Sequence, residues 1–83
     1  MHFATSNFWQ LYRRLPKTVQ KSADRNFKIL KATPSHPSLH FKKIGKYRSV
    51  RIGLSYRALA VKSENGLLWF WIGNHSEYDK MKL

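Results

Sequence analysis

The spacing of hydrophobic residues changes near Pro34 and divides the chain into a helical part and a strand part. Before Pro34, the segments "TSNFWQLYRRL" and "KTVQKSADRNFKILKA" carry apolar residues at the intervals of an amphipathic helix. Pro16 ends the first segment and suits the first turn of the second. Thr5 or Ser6 can cap the first helix. The pattern predicts a helical hairpin whose apolar stripes are Phe8, Leu11, Tyr12 and Leu15, and Val19, Ala23, Phe27 and Leu30.

After the loop "TPSHPS", four segments alternate or run apolar in the way that is typical of β-strands: "LHFKKI", "YRSVRIG", "YRALAVK" and "LLWFWIG". The connections between them are short, and Asn65-Gly66 is a strong hairpin signal. The strands are therefore expected to be antiparallel neighbours. The opening "MHFA" is predicted to be an edge strand, and the polar tail "HSEYDKMKL" to form one helical turn.

These elements predict an α+β fold, in which the helical hairpin packs on one face of a twisted antiparallel sheet of about four strands. The chain of 83 residues is expected to form a single domain, residues 1–83, because it is too short to divide its core in two. Three Trp, four Tyr and five Phe provide enough hydrophobic surface for a compact core. The residues expected to be buried include Val50, Ile52, Leu59, Phe70 and Ile72.

The absence of cysteine and of long apolar runs bears on where the protein acts. Without cysteine, neither a disulfide nor a thiolate metal site is expected. The N-terminus lacks the basic region and apolar run of a signal peptide. The longest apolar run, "GLLWFWIG", is too short to span a bilayer. A cytoplasmic protein without a membrane partner is therefore expected.

Charge is the most informative property of the composition. Sixteen lysines and arginines stand against four acidic residues, which gives a formal net charge of +12. An excess of this size attracts polyanions over long range. Nucleic acid is the commonest partner of such a protein, and an anionic membrane surface or an acidic protein is the alternative.

Part of this charge falls on the predicted sheet. Arg51 alternates with two apolar residues, so if these face the helices, Arg51 faces the open side of the sheet. Arg57 opens the next strand, directly across the hairpin. A sheet face ringed by arginine and lysine would bind phosphates. The predicted basic cluster comprises Arg48, Arg51, Arg57, Lys42 and Lys43.

The stretch "WIGNHSEYDKM" places His75 and Tyr78 directly after the last predicted strand. A histidine can exchange protons near neutral pH. Cleavage of RNA by its own 2′-hydroxyl needs a base on that hydroxyl, cations on the phosphate oxygens and an acid for the leaving group. His75, Arg57 and Tyr78 as an aromatic platform would meet these needs without a metal or a cofactor.

The other histidines give weak signals. His36 and His40 are spaced like a metal-binding pair, but Pro37 lies between them. With no cysteine and four scattered acidic residues, further ligands are hard to find, so no metal is expected. His2, His36 and His40 are interpreted as surface or loop residues, and replacing His2 is expected to leave activity unchanged.

The order of these segments resembles the RelE/ParE superfamily of toxin–antitoxin toxins. The similarity extends from Phe8 to Met81 and is carried by the hairpin "VRIGLSYRALAV" and the ending "IGNHSEYDK". Many members end in a similar Ile-Gly-x-His-x-x-Tyr-Asp pattern. The resemblance implies a microbial RNase-like fold in a bacterial or archaeal protein that cuts mRNA in the ribosomal A site. It also implies a cognate antitoxin that silences the toxin in a hetero-oligomeric complex.

The resemblance implies roles for individual residues as well. Arg57 in "SYRALAV" is similar to the arginine that contacts the scissile phosphate in RelE-type toxins. His75 is similar to the proton-transferring histidine of YafQ-like and HigB-like members. Arg48 matches a position that carries lysine or arginine in such toxins, whereas Val50 departs from the pattern, because RelE has a second lysine there. Two further residues match tail positions that some members use, Tyr78 and Asp79.

Two other functions are also compatible with the sequence. The ParE branch shares the fold but blocks DNA gyrase, and a basic module that binds RNA or ribosomes without catalysis would carry the same charge. The terminal histidine favours the ribosome-dependent mRNA endonuclease. The predicted catalytic residues are then His75, Arg57, Arg48 and Tyr78, and the predicted substrate-binding residues are Arg51, Lys42, Lys43 and Asp79.

Overall fold

The computed structural model describes residues 1–81, so the last two residues of the polar tail lie outside the described part of the chain. Strands and helices follow one another as β1 (His2–Ala4), α1 (Ser6–Arg13), α2 (Lys17–Ala32), a 3-10 turn (Pro37–Leu39), β2 (Lys42–Ile44), β3 (Tyr47–Ile52), β4 (Tyr56–Ser63), β5 (Gly66–Asn74) and α3 (His75–Lys80). The strands form one sheet in the order β1-β5-β4-β3-β2.

The predicted α+β fold is confirmed, with one more strand than the four expected. Strands β2 to β5 form an antiparallel meander, as the short connections predicted. The fifth strand is β1, which pairs in parallel with β5 at the edge of the sheet. Backbone hydrogen bonds hold it there, since Leu67 N–H donates to Met1 C=O at 2.9 Å and Thr5 N–H donates to Trp69 C=O at 3.0 Å.

The two long helices form the predicted hairpin, and local polar contacts define its shape. Thr5 caps α1, because its Oγ1 accepts a hydrogen bond from Phe8 N–H at 3.1 Å. The amide of Gln20 donates to the carbonyls of Tyr12 and Leu15 at 3.1 and 3.2 Å. These bonds tie α2 to the end of α1 and to the residues that follow it. The two helices are therefore held together, and both contribute residues to the core on one face of the sheet.

A β-bulge decides which aromatic residues of β5 enter the core. Leu59 pairs with Trp71 and the next residue of β4 pairs with Trp69, so Phe70 has no partner in the register. The extra residue shifts the alternation of β5. Trp69 is buried at 1% exposure, and Phe70 is only half-buried. The burial prediction is therefore wrong for Phe70 and confirmed for the other four positions, Val50, Ile52, Leu59 and Ile72.

The structure corrects the interpretation of His2 as a surface or loop residue. His2 lies in β1 and is half-buried. Its Nδ1 accepts a hydrogen bond from the indole Nε1 of Trp69 at 3.0 Å, and the two rings are stacked. Burial, the nearby N-terminal amine and Lys31 lower the pKa of His2 below its ordinary value of 6.5. His2 is therefore a structural residue, and the lowered pKa favours the neutral form that accepts this bond.

Replacing His2 with alanine is expected to lower the free energy of unfolding by about 1–3 kcal/mol, because the buried indole N–H of Trp69 loses its acceptor. His2→Asn is the matched control, because its Oδ1 can occupy the place of Nδ1 and accept the same bond without titrating. Denaturant unfolding monitored by Trp fluorescence measures the difference. Equal stability of the alanine and wild-type proteins would contradict the structural role.

The same contact predicts a dependence of stability on pH. Because the pKa of His2 is lower in the folded protein, the unfolded chain binds more protons as the pH falls through about 6.5. Protonation of Nδ1 also removes the acceptor for Trp69. The wild type should therefore lose stability below that pH, and His2→Asn should lose less. Unfolding curves measured on either side of that pH test this, and an identical pH response of both proteins would contradict it.

Candidate active site

A pocket of about 280 Å³ lies beside the β3–β4 hairpin, where the end of β5 passes into α3. A larger pocket of about 340 Å³ lies between β1 and the helices, but aromatic side chains dominate its lining. The smaller pocket holds a concentration of cationic and imidazole groups, so it is the candidate active site. Its lining residues are His40, Lys42, Arg51, Leu54, Tyr56, Arg57 and His75.

Arg57 is the most unusual residue of the pocket. Its side chain is only 7% exposed, and its strand partners are Arg51 and Gly73. Nε donates to the buried hydroxyl of Ser49 at 2.9 Å. The buried Nη2 has no hydrogen-bond partner among the described residues. A buried charge is costly unless its donors are satisfied, so a guanidinium in this state is suited to an anionic ligand.

Tyr78 lies under this guanidinium and connects it to the histidine of the terminal motif. The Cζ atom of Arg57 lies 5.0 Å from the centre of the Tyr78 ring, within the range of a cation–π contact. The rings of Tyr78 and His75 are 5.8 Å apart, and those of Tyr78 and Trp71 are 6.5 Å apart. Tyr78 thus packs against both predicted catalytic groups and fixes the guanidinium from one side.

The glycine of the terminal motif makes this packing possible. A Cβ atom at Gly73 would lie 2.6 Å from Cζ2 of the Trp71 indole, which is closer than non-bonded carbon atoms approach. The absence of a side chain therefore lets Trp71 lie back along its own strand. In that position the indole supports the ring of Tyr78, which in turn supports Arg57.

The change from β5 to α3 places His75 at the pocket. Asn74 caps α3, because its Oδ1 accepts from Glu77 N–H at 2.8 Å. The backbone N–H of His75 donates to Ser55 C=O at 2.7 Å, which ties the start of the helix to the β3–β4 turn. The His75 side chain is 54% exposed, and its Nε2 lies 3.5 Å from Oδ1 of Asp79 one turn later. The imidazole is therefore accessible and has a carboxylate beside it.

Two further cations complete the lining. Arg51 lies directly opposite Arg57 in the register of β3 and β4. Its Nε donates to Gly53 C=O at 3.2 Å, and its Nη1 lies 3.2 Å from Nε2 of His40. Lys42 lies opposite Ser49 on β2 and reaches the same pocket. Three cationic side chains around one pocket can bind a phosphate group and stabilise negative charge on it.

Two of the predicted basic residues are not brought to this pocket. Arg48 lies opposite Ala60, which is part of the core that the helices cover. Lys43 pairs with Arg48 and shares its face. Because side chains alternate along a strand, these two residues face away from Ser49 and Arg51. Arg48 Nη1 donates to the carbonyl of Tyr47 at 3.3 Å. The structure therefore places Arg48 and Lys43 outside the candidate active site.

Sequence reasoning did not identify two residues of the site, Ser49 and His40. Ser49 aligns the guanidinium of Arg57, and its position two residues before Arg51 on the same strand face was a usable signal. His40 is an exposed loop residue, as expected, but it also borders the pocket. A serine in a strand and a histidine near prolines are common in proteins, so neither residue could be recognised as part of a site from the sequence alone.

Within residues 1–81, no group of three or more His, Asp or Glu side chains could hold a metal ion. None of the helices described is both long enough and apolar enough to cross a bilayer.

Comparison with known proteins places the fold in a group of toxins. A comparison with curated proteins finds no match. A chain of the RelB–RelE antitoxin–toxin complex from Methanococcus jannaschii is 18% identical, with a TM-score of 0.73 over 94% of this chain and 96% of that chain. The isolated E. coli RelE toxin is 13% identical, with a TM-score of 0.66 over 100% and 98% of the two chains. The YoeB/ParE toxin from Agrobacterium tumefaciens is 19% identical, with a TM-score of 0.69 over 89% and 96%.

At these identities the structural similarities establish the fold, and a family sequence model establishes membership. The model of the ParE-like toxin domain matches residues 17–80, which include α2, the whole β2–β5 meander and α3. The chain therefore belongs to the ParE-like toxin domain family and is a toxin of the RelE/ParE superfamily.

Proposed function

We propose that this toxin is an endoribonuclease that cuts mRNA on the ribosome and so inhibits translation. The observation that carries the proposal is the guanidinium of Arg57, which is 7% exposed and has a buried nitrogen without a partner among the described residues. It lines a pocket that also contains Arg51, Lys42 and the accessible imidazole of His75. A phosphate group in this pocket would give the charge of Arg57 an anionic partner, and the imidazole could then transfer a proton.

The proposed chemistry uses the 2′-hydroxyl of the RNA as the nucleophile. Its oxygen attacks the adjacent phosphorus, and the negative charge on the non-bridging oxygens grows in the transition state. Arg57 and its cationic neighbours stabilise that charge, and His75 takes part in proton transfer. Side chains supply all of these functions, so the proposed mechanism is independent of metal ions. Tyr78 and Asp79 hold Arg57 and His75 in place through the contacts described above.

The proposal implies two kinds of partner. The first is the ribosome with its mRNA, whose phosphates match the net charge of +12. The second is a cognate antitoxin, since structures of this fold include the RelB–RelE complex from M. jannaschii and the RelBE complex from E. coli. An antitoxin segment with acidic residues would neutralise the toxin by covering or distorting the pocket in a hetero-oligomeric complex. Action on ribosomes places the protein in the cytoplasm.

A second candidate function is inhibition of DNA gyrase, which the match to the ParE-like toxin domain favours. Gyrase inhibition requires a binding surface and no proton transfer. It therefore gives no reason for a histidine beside a buried arginine. The endonuclease explains both residues, so we place it first.

The experiment that tests the proposal combines the purified toxin with ribosomes programmed with a defined mRNA. We expect new 5′ ends in primer extension, and no loss of supercoiling activity when the toxin is added to gyrase. Gyrase inhibition without mRNA cleavage would establish the second candidate. Ribosome binding without either activity would identify a non-catalytic binding module.

Binding should also be strongly dependent on salt, because each phosphate contact releases counterions from the RNA. Affinity for RNA, measured by fluorescence anisotropy, is expected to fall steeply between about 50 and 200 mM salt. Lys42→Ala, in the pocket, should reduce this dependence, whereas Lys21→Ala, on the exposed surface of α2, is the control. If the affinity for RNA stays constant over this range of salt concentration, the interface is not dominated by phosphate contacts.

A further inference from the structure

A second histidine lines the pocket that contains Arg57 and His75. His40 follows the 3-10 turn and borders the same space of about 280 Å³. Its φ of 45° and ψ of 47° lie in the left-handed region, which residues other than glycine seldom adopt. Leu39, directly before it, is completely buried. The core therefore anchors the turn and presents His40 to the pocket in an unusual backbone conformation.

The neighbour of His40 determines which ring nitrogen is available to accept a proton. Nε2 of His40 lies 3.2 Å from Nη1 of Arg51. A guanidinium can only donate, so Nε2 must accept, and the hydrogen of the neutral imidazole resides on Nδ1. The lone pair of Nε2 therefore points towards a cation of the phosphate-binding pocket.

His75 has the opposite kind of neighbour. Its Nε2 lies 3.5 Å from a carboxylate oxygen of Asp79. A carboxylate can only accept, so a protonated Nε2 satisfies this arrangement. The pocket thus contains one histidine next to a donor and one histidine next to an acceptor. Cleavage of a phosphodiester needs this combination, because one group removes a proton and another supplies one.

We infer that His40 is the general base of the cleavage reaction and His75 its general acid, an assignment that rests on the proposed endonuclease function. His40 Nε2 takes the proton of the 2′-hydroxyl as the 2′-oxygen forms its bond to phosphorus. The bond from phosphorus to the 5′-oxygen breaks, and that oxygen takes the proton from His75. The products are a 2′,3′-cyclic phosphate and a 5′-hydroxyl, and exchange with water restores both histidines.

Substrate binding would itself make the base available. A phosphate in the pocket accepts hydrogen bonds from Arg51, and the movement of this guanidinium towards the anion frees Nε2 of His40. The base is then released only when the scissile phosphate is in place. The titratable and charged groups around the pocket are His40, Lys42, Arg51, Tyr56, Arg57 and His75, with Asp79 beside the last of these.

The test compares His40→Asn with His36→Asn. Asparagine tolerates the left-handed backbone of residue 40 but cannot take up a proton. His36 is a matched control, since it is also exposed and its Nδ1 accepts from Ser38 N–H at 3.2 Å, which asparagine can also do. On programmed ribosomes, His40→Asn should slow cleavage by on the order of 10²-fold or more, and His36→Asn should not.

The pH dependence of the rate separates a base from a residue that only positions the substrate. The wild type should show a bell-shaped profile. In His40→Asn, the cleavage rate should no longer rise with pH on the acidic side of the profile. In His75→Ala, the rate should no longer fall on the alkaline side. If His40→Asn cleaves more slowly but keeps the bell-shaped pH profile of the wild type, His40 is not the general base. Equal cleavage rates for His40→Asn and His36→Asn would contradict the role of His40 as base but not the proposed endonuclease function. If the wild-type protein does not cleave mRNA, the proposed endonuclease function is itself wrong.

A binding measurement without ribosomes provides an independent check. Uridine 3′-monophosphate is titrated into the protein, and the imidazole resonances are followed by NMR. The resonances of His40 and His75 should both move, and that of His36 should not. Movement of the His75 signal without that of His40 would overturn the inference, because the base must contact the nucleotide.

Discussion

Replacing Arg57 with alanine is expected to slow the cleavage of mRNA on the ribosome by on the order of 10²–10³-fold, the usual cost of removing one preorganised donor to a developing negative charge. The guanidinium is held by Ser49 on one side and by the ring of Tyr78 on the other. Its position is therefore fixed before any phosphate binds. Single-turnover cleavage on programmed ribosomes measures the rate, and growth inhibition in cells should weaken in parallel.

The same substitution site should separate activity from stability. Arg57 is 7% exposed and has one buried nitrogen without a partner among the described residues, so its burial is expected to lower the free energy of unfolding. Arg57→Met fills a similar volume without a charge, and its thermal midpoint should equal or exceed that of the wild type. Ser49→Ala should be combined with it, so that no buried hydroxyl is left without its donor.

Arg57→Lys is the matched variant for the geometry of the contact. Lysine keeps the charge but loses the planar set of donors that bonds Ser49 and a phosphate together. Its activity should therefore lie between those of the wild type and the alanine variant. Arg57→Met with full cleavage activity would show that the buried guanidinium has no catalytic role. A strongly destabilised Arg57→Met would show that the guanidinium is a structural group instead.

Replacing His75 with alanine is expected to slow cleavage by on the order of 10²-fold or more, because the imidazole transfers a proton that alanine cannot supply. Its side chain is 54% exposed, so the fold should not depend on it. Circular dichroism and thermal unfolding should match the wild type, while primer extension should show little or no cleavage. Binding to ribosomes should persist, since the cations of the pocket are unchanged.

Asp79→Asn and Glu77→Gln form a matched pair for this prediction. Each removes one negative charge from α3, but only Asp79 contacts the imidazole of His75, at 3.5 Å. Asp79→Asn should therefore alter the pH profile of cleavage, and Glu77→Gln should leave it unchanged. If His75→Ala cuts mRNA as fast as the wild type, proton transfer at this site depends on another group. If both His75→Ala and Arg57→Ala remain fully toxic, this pocket is not the active site.

The local pattern of the sequence determined most of the architecture. Helical spacing before Pro34 and strand spacing after it correspond to α1, α2 and the meander of β2 to β5. Both patterns arise from the geometry of the backbone, since side chains repeat every 3.6 residues in a helix and every two in a strand. The same alternation placed Arg51 on the open side of the sheet, where the structure has it opposite Arg57. The family motif pointed to His75, which borders the pocket as expected.

Strand register and packing decided which residues are buried and which polar groups meet, and the sequence pattern alone did not specify these features. The bulge near Leu59 places Trp69 instead of Phe70 in the core, because the unpaired residue reverses the alternation of the β5 side chains that precede it. Alternation along β3 places Arg48 on the helix-covered face, and its register opposite Ala60 confirms that it does not share the face of Arg51. Three contacts likewise depend on how the strands and turns are arranged in space: the bond from Trp69 to His2, the orientation of Arg57 by Ser49, and the approach of His40 to Arg51. The sequence by itself specified periodicity and charge, whereas the tertiary structure selected which polar groups meet, because that choice depends on strand register and packing.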